Sequence, residues 1–220
     1  LAPGAVHVID PNAPGWLAAR GVKTDGPMPT DPAVLVLAVK PQMMGDVLPR
    51  MQPGRAGRTL VLSVAAGVTL AAFARAFPGA AVVRAMPNTP AAIGQGITAI
   101  VGNDRADASA LDLAHSLMAA VGNVVRLDDE AQMDAVTALS GSGPAYVFHL
   151  IEAMAAAGEA QGLPPALALD LARATVAGET FPGELSTFET VPTDTEAGKR
   201  TLAVRLGDPK ARLTFTAELF

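Results

Sequence analysis

Val34-Leu35-Val36-Leu37-Ala38-Val39-Lys40-Pro41 runs six residues without a polar side chain and then stops on a lysine and a proline. A short, continuous apolar run reads as a strand covered on both faces, the pattern of a parallel sheet, and is expected mid-sheet. The proline holds the residue before it extended, which places Lys40 at the carboxyl end of that strand. Outward from it lie further β-branched runs: Ala5 to Ile9, Leu60 to Val64, Ala81 to Ala85, Ile97 to Val101 and Val124 to Leu127. Their alternation with helical patterns predicts βα units. Among these, Asp107 to Ala120 carries Leu111, Ala114, Leu117 and Met118 at helical spacing, with Gly122 as its stop.

After Leu127 the alternation ends, and a domain boundary is expected there, with residues 1–127 on one side and 128–220 on the other. Asp129 with Gln132 forms a capping-box pattern that predicts a helix to about Leu139. A second helix opens over Ser142, Gly143 and Pro144 and ends near Gly162; a third runs from Pro165 to Ala177 before Gly178. AYVFHLIEAMAAAG and ALALDLARATVAG are apolar on nearly every side, so these helices need burial on most faces. The residues after 127 are too few to surround them, and a partner subunit is the expected cover; the alternative is burial against the first domain. From Phe181 onward, Pro182, Pro192 and Pro209 break every period longer than one short helix.

The charge balance of the 220 residues, 16 Lys plus Arg against 21 Asp plus Glu, gives −5 at pH 7 and offers no basic footprint for nucleic acid. Half the residues are hydrophobic and only 17% are charged, which excludes a disordered chain. The sequence has no cysteine, so thiol nucleophiles, iron–sulfur clusters and cysteine zinc sites are excluded. His7, His115 and His149 share no metal-ligand spacing, and no metal site is expected. The uncharged stretch Leu60 to Ala74 is interrupted by Ser63, Gly67 and Thr69 and falls short of the roughly 20 apolar residues of a membrane span. No secretory-signal pattern opens the sequence, and a cytoplasmic location is expected.

Two segments imitate a dinucleotide fingerprint. Gly94-Gln95-Gly96-Ile97-Thr98-Ala99 matches G-x-G-x-x-A but leads into a β-branched run, so it cannot present a helix N-terminus to a pyrophosphate. Gly141-Ser142-Gly143 does precede a helix but lacks a third glycine; it is either a tight helix entry or an anion or substrate site. In the dinucleotide-binding pattern an acidic residue ends the second strand about 20 residues after the glycine-rich turn. Asp10 follows the strand-like AVHVI, so the turn would fall before residue 1, and the first βα unit is expected to be absent from this chain. Asp10 would then favour a ribose 2′-hydroxyl over a 2′-phosphate; Asp-Pro-Asn is equally an ordinary turn. A G-x-S-x-G elbow and a Walker lysine motif are both missing, which removes most support for hydrolase and phosphoryl-transfer chemistry.

Three segments carry a family resemblance: Leu37-Ala38-Val39-Lys40-Pro41-Gln42; Ser63-Val64-Ala65-Ala66-Gly67-Val68 continuing to Arg84-Ala85-Met86-Pro87-Asn88-Thr89-Pro90; and Ala138-Leu139-Ser140-Gly141-Ser142-Gly143-Pro144-Ala145-Tyr146. In this order and spacing the chain resembles pyrroline-5-carboxylate reductase, the family of the last step of proline synthesis. The resemblance implies an α/β fold, with an N-terminal Rossmann-like parallel sheet and a C-terminal all-α dimerisation domain that interlocks between subunits. It implies a homodimer or larger homo-oligomer, and hydride transfer from NADPH or NADH to the C=N carbon of 1-pyrroline-5-carboxylate.

Pattern and resemblance together put Asp10, Val39, Lys40, Pro41, Ala65 and Asn88 at the cofactor, and Ser142, Thr193 and Thr195 at the substrate, with Thr195 the catalytic hydroxyl. Lys40 as a solvated strand-end lysine, Asn88 bonding only its own backbone, and Ser142 and Thr195 as cap or turn residues are the structural alternatives. The family's Ser-Pro-Gly-Gly-Thr-Thr substrate loop is matched only in part by Thr190-Val191-Pro192-Thr193-Asp194-Thr195. Loss of both glycines removes the close backbone approach that an anion nest needs. Two rival functions remain open. One is another sheet-plus-helical dehydrogenase, of hydroxyacid or prephenate type, for which His149 is the available catalytic residue; the other is a dimeric module that has lost catalysis.

Overall fold

The computed structural model of the chain describes residues 2–24, 26–51 and 58–177, and beyond them the backbone of Phe188–Glu189, Lys199–Arg205 and Arg212–Glu218. The chain divides into two compact units, Leu1–Tyr146 and Val147–Phe220.

Among the described residues, seven strands belong to the first unit: β1 (His7–Val8), β2 (Lys23–Thr24), β3 (Val34–Leu37), β4 (Leu60–Ser63), β5 (Ala81–Met86), β6 (Gly96–Gly102) and β7 (Gly122–Arg126). The five from β3 to β7 form one sheet in chain order, parallel except where β5 meets β6. The helices are α1 (Gly15–Ala19), α2 (Met44–Val47), α3 (Leu70–Ala76), α4 (Ala108–Met118) and α5 (Met133–Val136). Alternation along β4 and β5 sends side chains to both faces. Val61, Val82 and Met86 pack with Leu70, Phe73, Phe77 and Met133 on one face. Leu60, Leu62, Val83 and Ala85 pack with Ala114 and Met118 of α4 on the other. Every residue of β4 is buried, so this strand and β5 form the centre of the sheet.

β3 is an edge strand of that sheet, with Val36 52% exposed, and not the mid-sheet strand its apolar run predicts. β1 and β2 form a separate parallel pair. Among the described residues, no ladder joins β1 or β2 to β3.

The local signals before the helices are realised. Asp107 caps α4 by accepting the Ala110 amide. Asp129 and Gln132 form the reciprocal capping box over the turn Glu130–Gln132. From there the helix runs through α5 into a π-helical turn, Thr137–Gly141, closed by the Ser142 amide on the Thr137 carbonyl. Met133 is buried in the core beneath the sheet, so this stretch packs with the first unit.

α6 (Gly143–Ala160) and α7 (Pro165–Ala177) follow, the expected C-terminal helices. They pack through Ala155, Ala168 and Ala172, and a methyl on Gly158 would come 3.2 Å from the Ala168 Cβ, so small residues set their approach. To this helical region the chain adds a three-stranded antiparallel sheet in the order β10-β9-β8, with β8 (Phe188–Glu189), β9 (Lys199–Arg205) and β10 (Arg212–Glu218). Its sequence signal is the alternation of Leu202 with Val204 and of Leu213, Phe215 and Ala217, which is short and broken by proline-containing connections.

Candidate functional site

Three parallel strands end in one row. Leu37 pairs with Ser63, and Ser63 with Arg84, so β3, β4 and β5 deliver their next residues along a single carboxyl edge. Ligands of open α/β sheets bind at this edge, where the chain leaves the ladder and its amides and side chains are uncommitted. Three residues past Leu37 stands Lys40, extended at φ −59, ψ 142, before the 3-10 turn Pro41–Met43. Its side chain is exposed, whereas Val39 packs against the core. Two residues past Ser63 stands Ala65, buried, its amide donating to the Ser63 hydroxyl at 3.2 Å. Four residues past Arg84 stands Asn88, half-buried at the head of the 3-10 turn Thr89–Ile93.

Asn88 Oδ1 accepts the Ile97 amide at 3.0 Å. This bond links the loop after β5 to β6 and fixes the side chain so that its NH2 group is the end left for a ligand. Asn88 therefore does more than bond its own turn. Gly141 lies against Met86, since a methyl added to it would be 3.7 Å from the Met86 Sδ. The π turn and Ser142 are thus brought beside the end of β5, two residues before Asn88. π turns inside helices are frequent at functional sites because the extra residue opens the backbone there.

Asp10 follows β1 and is exposed; its Oδ1 accepts the Asn12 amide at 2.8 Å. No ladder connects it to the row that gathers Lys40, Ala65 and Asn88. Thr193 and Thr195 lie outside the described residues. His149 is solvent-exposed on α6, with Glu152 4.0 Å away. Of the glycines in the two imitating segments, Gly96 serves packing: it begins β6, and a Cβ there would lie 2.9 Å from the Ala91 backbone.

One constellation is absent from the sequence reading. Arg84, 5% exposed, forms an ion pair through Nη1 with Glu130 Oε1, and the same oxygen accepts the Leu70 amide at 2.8 Å. The available signal was the charge inside the buried run AVVRAM, because a guanidinium there demands a partner.

With this geometry in place, comparison with known proteins is specific. Residues 130–185 match the family model for pyrroline-5-carboxylate reductase dimerisation. Over 191 residues the chain is 40% identical to a pyrroline-5-carboxylate reductase of Pseudomonas aeruginosa, covering 82% of this chain and 70% of that protein. The chain belongs to the pyrroline-5-carboxylate reductase family. A Synechocystis pyrroline-5-carboxylate reductase is 50% identical over 145 residues, 66% of this chain, and the match spans 54% of that relative, about half its length. The crystal structure of a Plasmodium falciparum pyrroline carboxylate reductase with NADP bound superposes with a TM-score of 0.69 at 25% identity, over 80% of this chain and 71% of that one. The reductase dimerisation match takes in Glu130, the π turn, α6 and α7. Among the described residues, no helix is long and apolar enough to cross a membrane.

Proposed function

We propose that this chain reduces the C=N bond of 1-pyrroline-5-carboxylate to give proline, using NADPH or NADH, as a homodimer or larger homo-oligomer in the cytoplasm. In this reading residues 1–127 hold the dinucleotide and residues 128–220 supply dimerisation and substrate contacts. The observation that carries it is the row of strand ends that gathers Val39, Lys40, Pro41, Ala65 and Asn88 at one sheet edge, with Ser142 brought beside it, in a member of this family.

The residues at this edge fit a dinucleotide. Asn88 offers amide hydrogens to a carboxamide oxygen while its own oxygen is held by Ile97. The backbone from Val39 to Pro41 lines the same edge. Asp10 keeps one carboxylate oxygen for a ribose hydroxyl while the other holds the Asn12 amide. When bound, the dihydronicotinamide supplies the hydride. The substrate imine is electrophilic once protonated, so the protein's task is orientation more than acid–base work. Ser142, Thr193 and Thr195 are the hydroxyls assigned to the substrate, with Thr195 the proposed catalytic hydroxyl.

The oligomer reading rests on the helices. Phe148, Leu150, Leu167 and Leu171 remain between 46% and 63% exposed on α6 and α7 in the single chain. Each such side chain gains about 1.5–3 kcal/mol on full burial, so a second copy covering them is strongly favoured.

The test is proline formation, measured by chromatography alongside loss of NADH or NADPH, when pyrroline carboxylate is added. Proline appearing with either cofactor supports the reading. Cofactor binding without proline would instead identify a module that has lost catalysis.

A further inference from the structure

We propose that Arg84 and Glu130 are a positioning pair that holds the Asn88 loop and the Thr137–Ser142 turn in register with each other. The proposal rests on the reductase reading for its kinetic consequence, and on geometry alone for its structural one.

Arg84 and Met86 point to the same face of β5, because side chains alternate along a strand. Arg84 is paired with Glu130 in the first turn of one helical stretch, and Met86 lies beside Gly141 in its last. Asn88 follows two residues after Met86, and its amide oxygen is committed to Ile97. The strand that leads into Asn88 is therefore tied by the ion pair to the start of the stretch that carries Ser142 and runs beside its end. Glu130 adds a third element, since the oxygen that meets Arg84 also accepts the Leu70 amide at the start of α3.

Neither side chain is a catalytic group: Arg84 lies in the core, and the Glu130 oxygen is occupied by two donors. A stability role explains the pair poorly. The desolvation of buried ions offsets most of their attraction, and well-packed apolar replacements are commonly as stable. What an ion pair supplies that apolar side chains do not is a defined direction and distance between elements. Hydride transfer is sensitive to that, since a misplacement of about 1 Å costs on the order of 100-fold in rate.

The test compares wild type with R84M/E130L, which removes both charges together, with the isosteric E130Q, and with the conservative R84K. Amide hydrogen exchange is read at Ile97 and Ser142, with Leu62 and Val83 of the central strands as internal controls. Ile97 and Ser142 are expected to exchange about tenfold faster or more in R84M/E130L, and less so in R84K, with Leu62 and Val83 unchanged. The kinetic counterpart is a kcat lowered about 10- to 100-fold with KM for pyrroline carboxylate within about twofold, and recovery in R84K. Unchanged exchange at both amides in a folded R84M/E130L overturns the proposal. If the double variant does not fold, E130Q decides it: unchanged exchange with wild-type kcat overturns the pair's role. A wild-type chain that makes no proline defeats the reductase reading, and the exchange experiment still decides the positioning role.

Discussion

Asn88 Oδ1 and the Ile97 amide lie 3.0 Å apart, and this one bond joins the loop after β5 to the first turn of ladder in β6. It also divides the Asn88 side chain into a structural end and a free end. Asn88→Asp keeps the acceptor and loses the NH2 donor; Asn88→Ala loses both. The aspartate variant is expected to melt close to wild type and to bind NADH about tenfold more weakly, the worth of one hydrogen bond. The alanine variant is expected to lose about 1 kcal/mol of stability as well, because the Ile97 amide is left without its partner. Thermal melts and fluorescence titration with NADH separate the two ends. Equal NADH affinity in all three proteins would remove Asn88 from the cofactor site.

Asp10 sets a second expectation. Its Oδ1 bond to the Asn12 amide holds the carboxylate just after β1; in the proposed cofactor site its charge would favour a ribose hydroxyl and oppose a 2′-phosphate. Arg20, the cation on the same connection, is drawn over the Trp16 ring, 5.2 Å from its centroid. Asp10→Ser keeps an acceptor for Asn12 and removes the charge. The ratio of NADPH to NADH affinity is expected to rise about tenfold, a repulsion of about 1 kcal/mol or slightly more. Calorimetric titration with both cofactors reads it directly, and a ratio that does not move sinks the assignment.

Much of this architecture is legible from residues alone, and what is not has identifiable causes. β4 and β5 declare themselves because LVLS and AVVRAM are buried on both faces, and the Asp129–Gln132 capping box is a local pattern that needs no tertiary information. The run VLVL gives its strand but not its place, since apolar composition does not record which neighbour is hydrogen-bonded. Lys40, Ala65 and Asn88 reach one edge through the register Leu37–Ser63–Arg84, and their order along the chain follows from parallel pairing. The Arg84–Glu130 pair spans 46 residues, and only the fold says which acid answers a buried arginine. The π turn is likewise invisible to a 3.6-residue period, because it departs from that period where Gly141 meets Met86.

The glycines give an expectation of opposite sign at two positions. Gly122 has φ +142, and a Cβ on it would collide with the Gly96 carbonyl across the β6–β7 pairing. Gly122→Ala is expected to cost about 3 kcal/mol or more through backbone strain and lost pairing. Gly141 is helical, and an added methyl would meet Met86 and Thr137 only at 3.7 Å, ordinary contact. Gly141→Ala is therefore expected to gain about 0.5–1 kcal/mol from reduced backbone freedom in the unfolded chain. Urea melts of both variants check the pair, and a destabilised Gly141→Ala would show that the π turn needs its glycine.

The helical surface makes the last expectation. Phe148 and Leu171 are 63% and 49% exposed on helices whose own shared core is little more than three alanines. That core is thin for α6 and α7 in water, and a second copy is the expected cover for the larger side chains. A charge placed on such a face is unpaired and dry in the oligomer but solvated in the monomer, so it acts on association more than on folding of the sheet. Phe148→Glu with Leu171→Glu is expected to shift the sedimentation of the protein to a monomer. The far-ultraviolet signature of the first unit should persist, and with it the slow exchange of Leu62 and Val83. Wild type sedimenting as a monomer at micromolar concentration would defeat the oligomer reading, and the double variant remaining a dimer would place the subunit contact elsewhere.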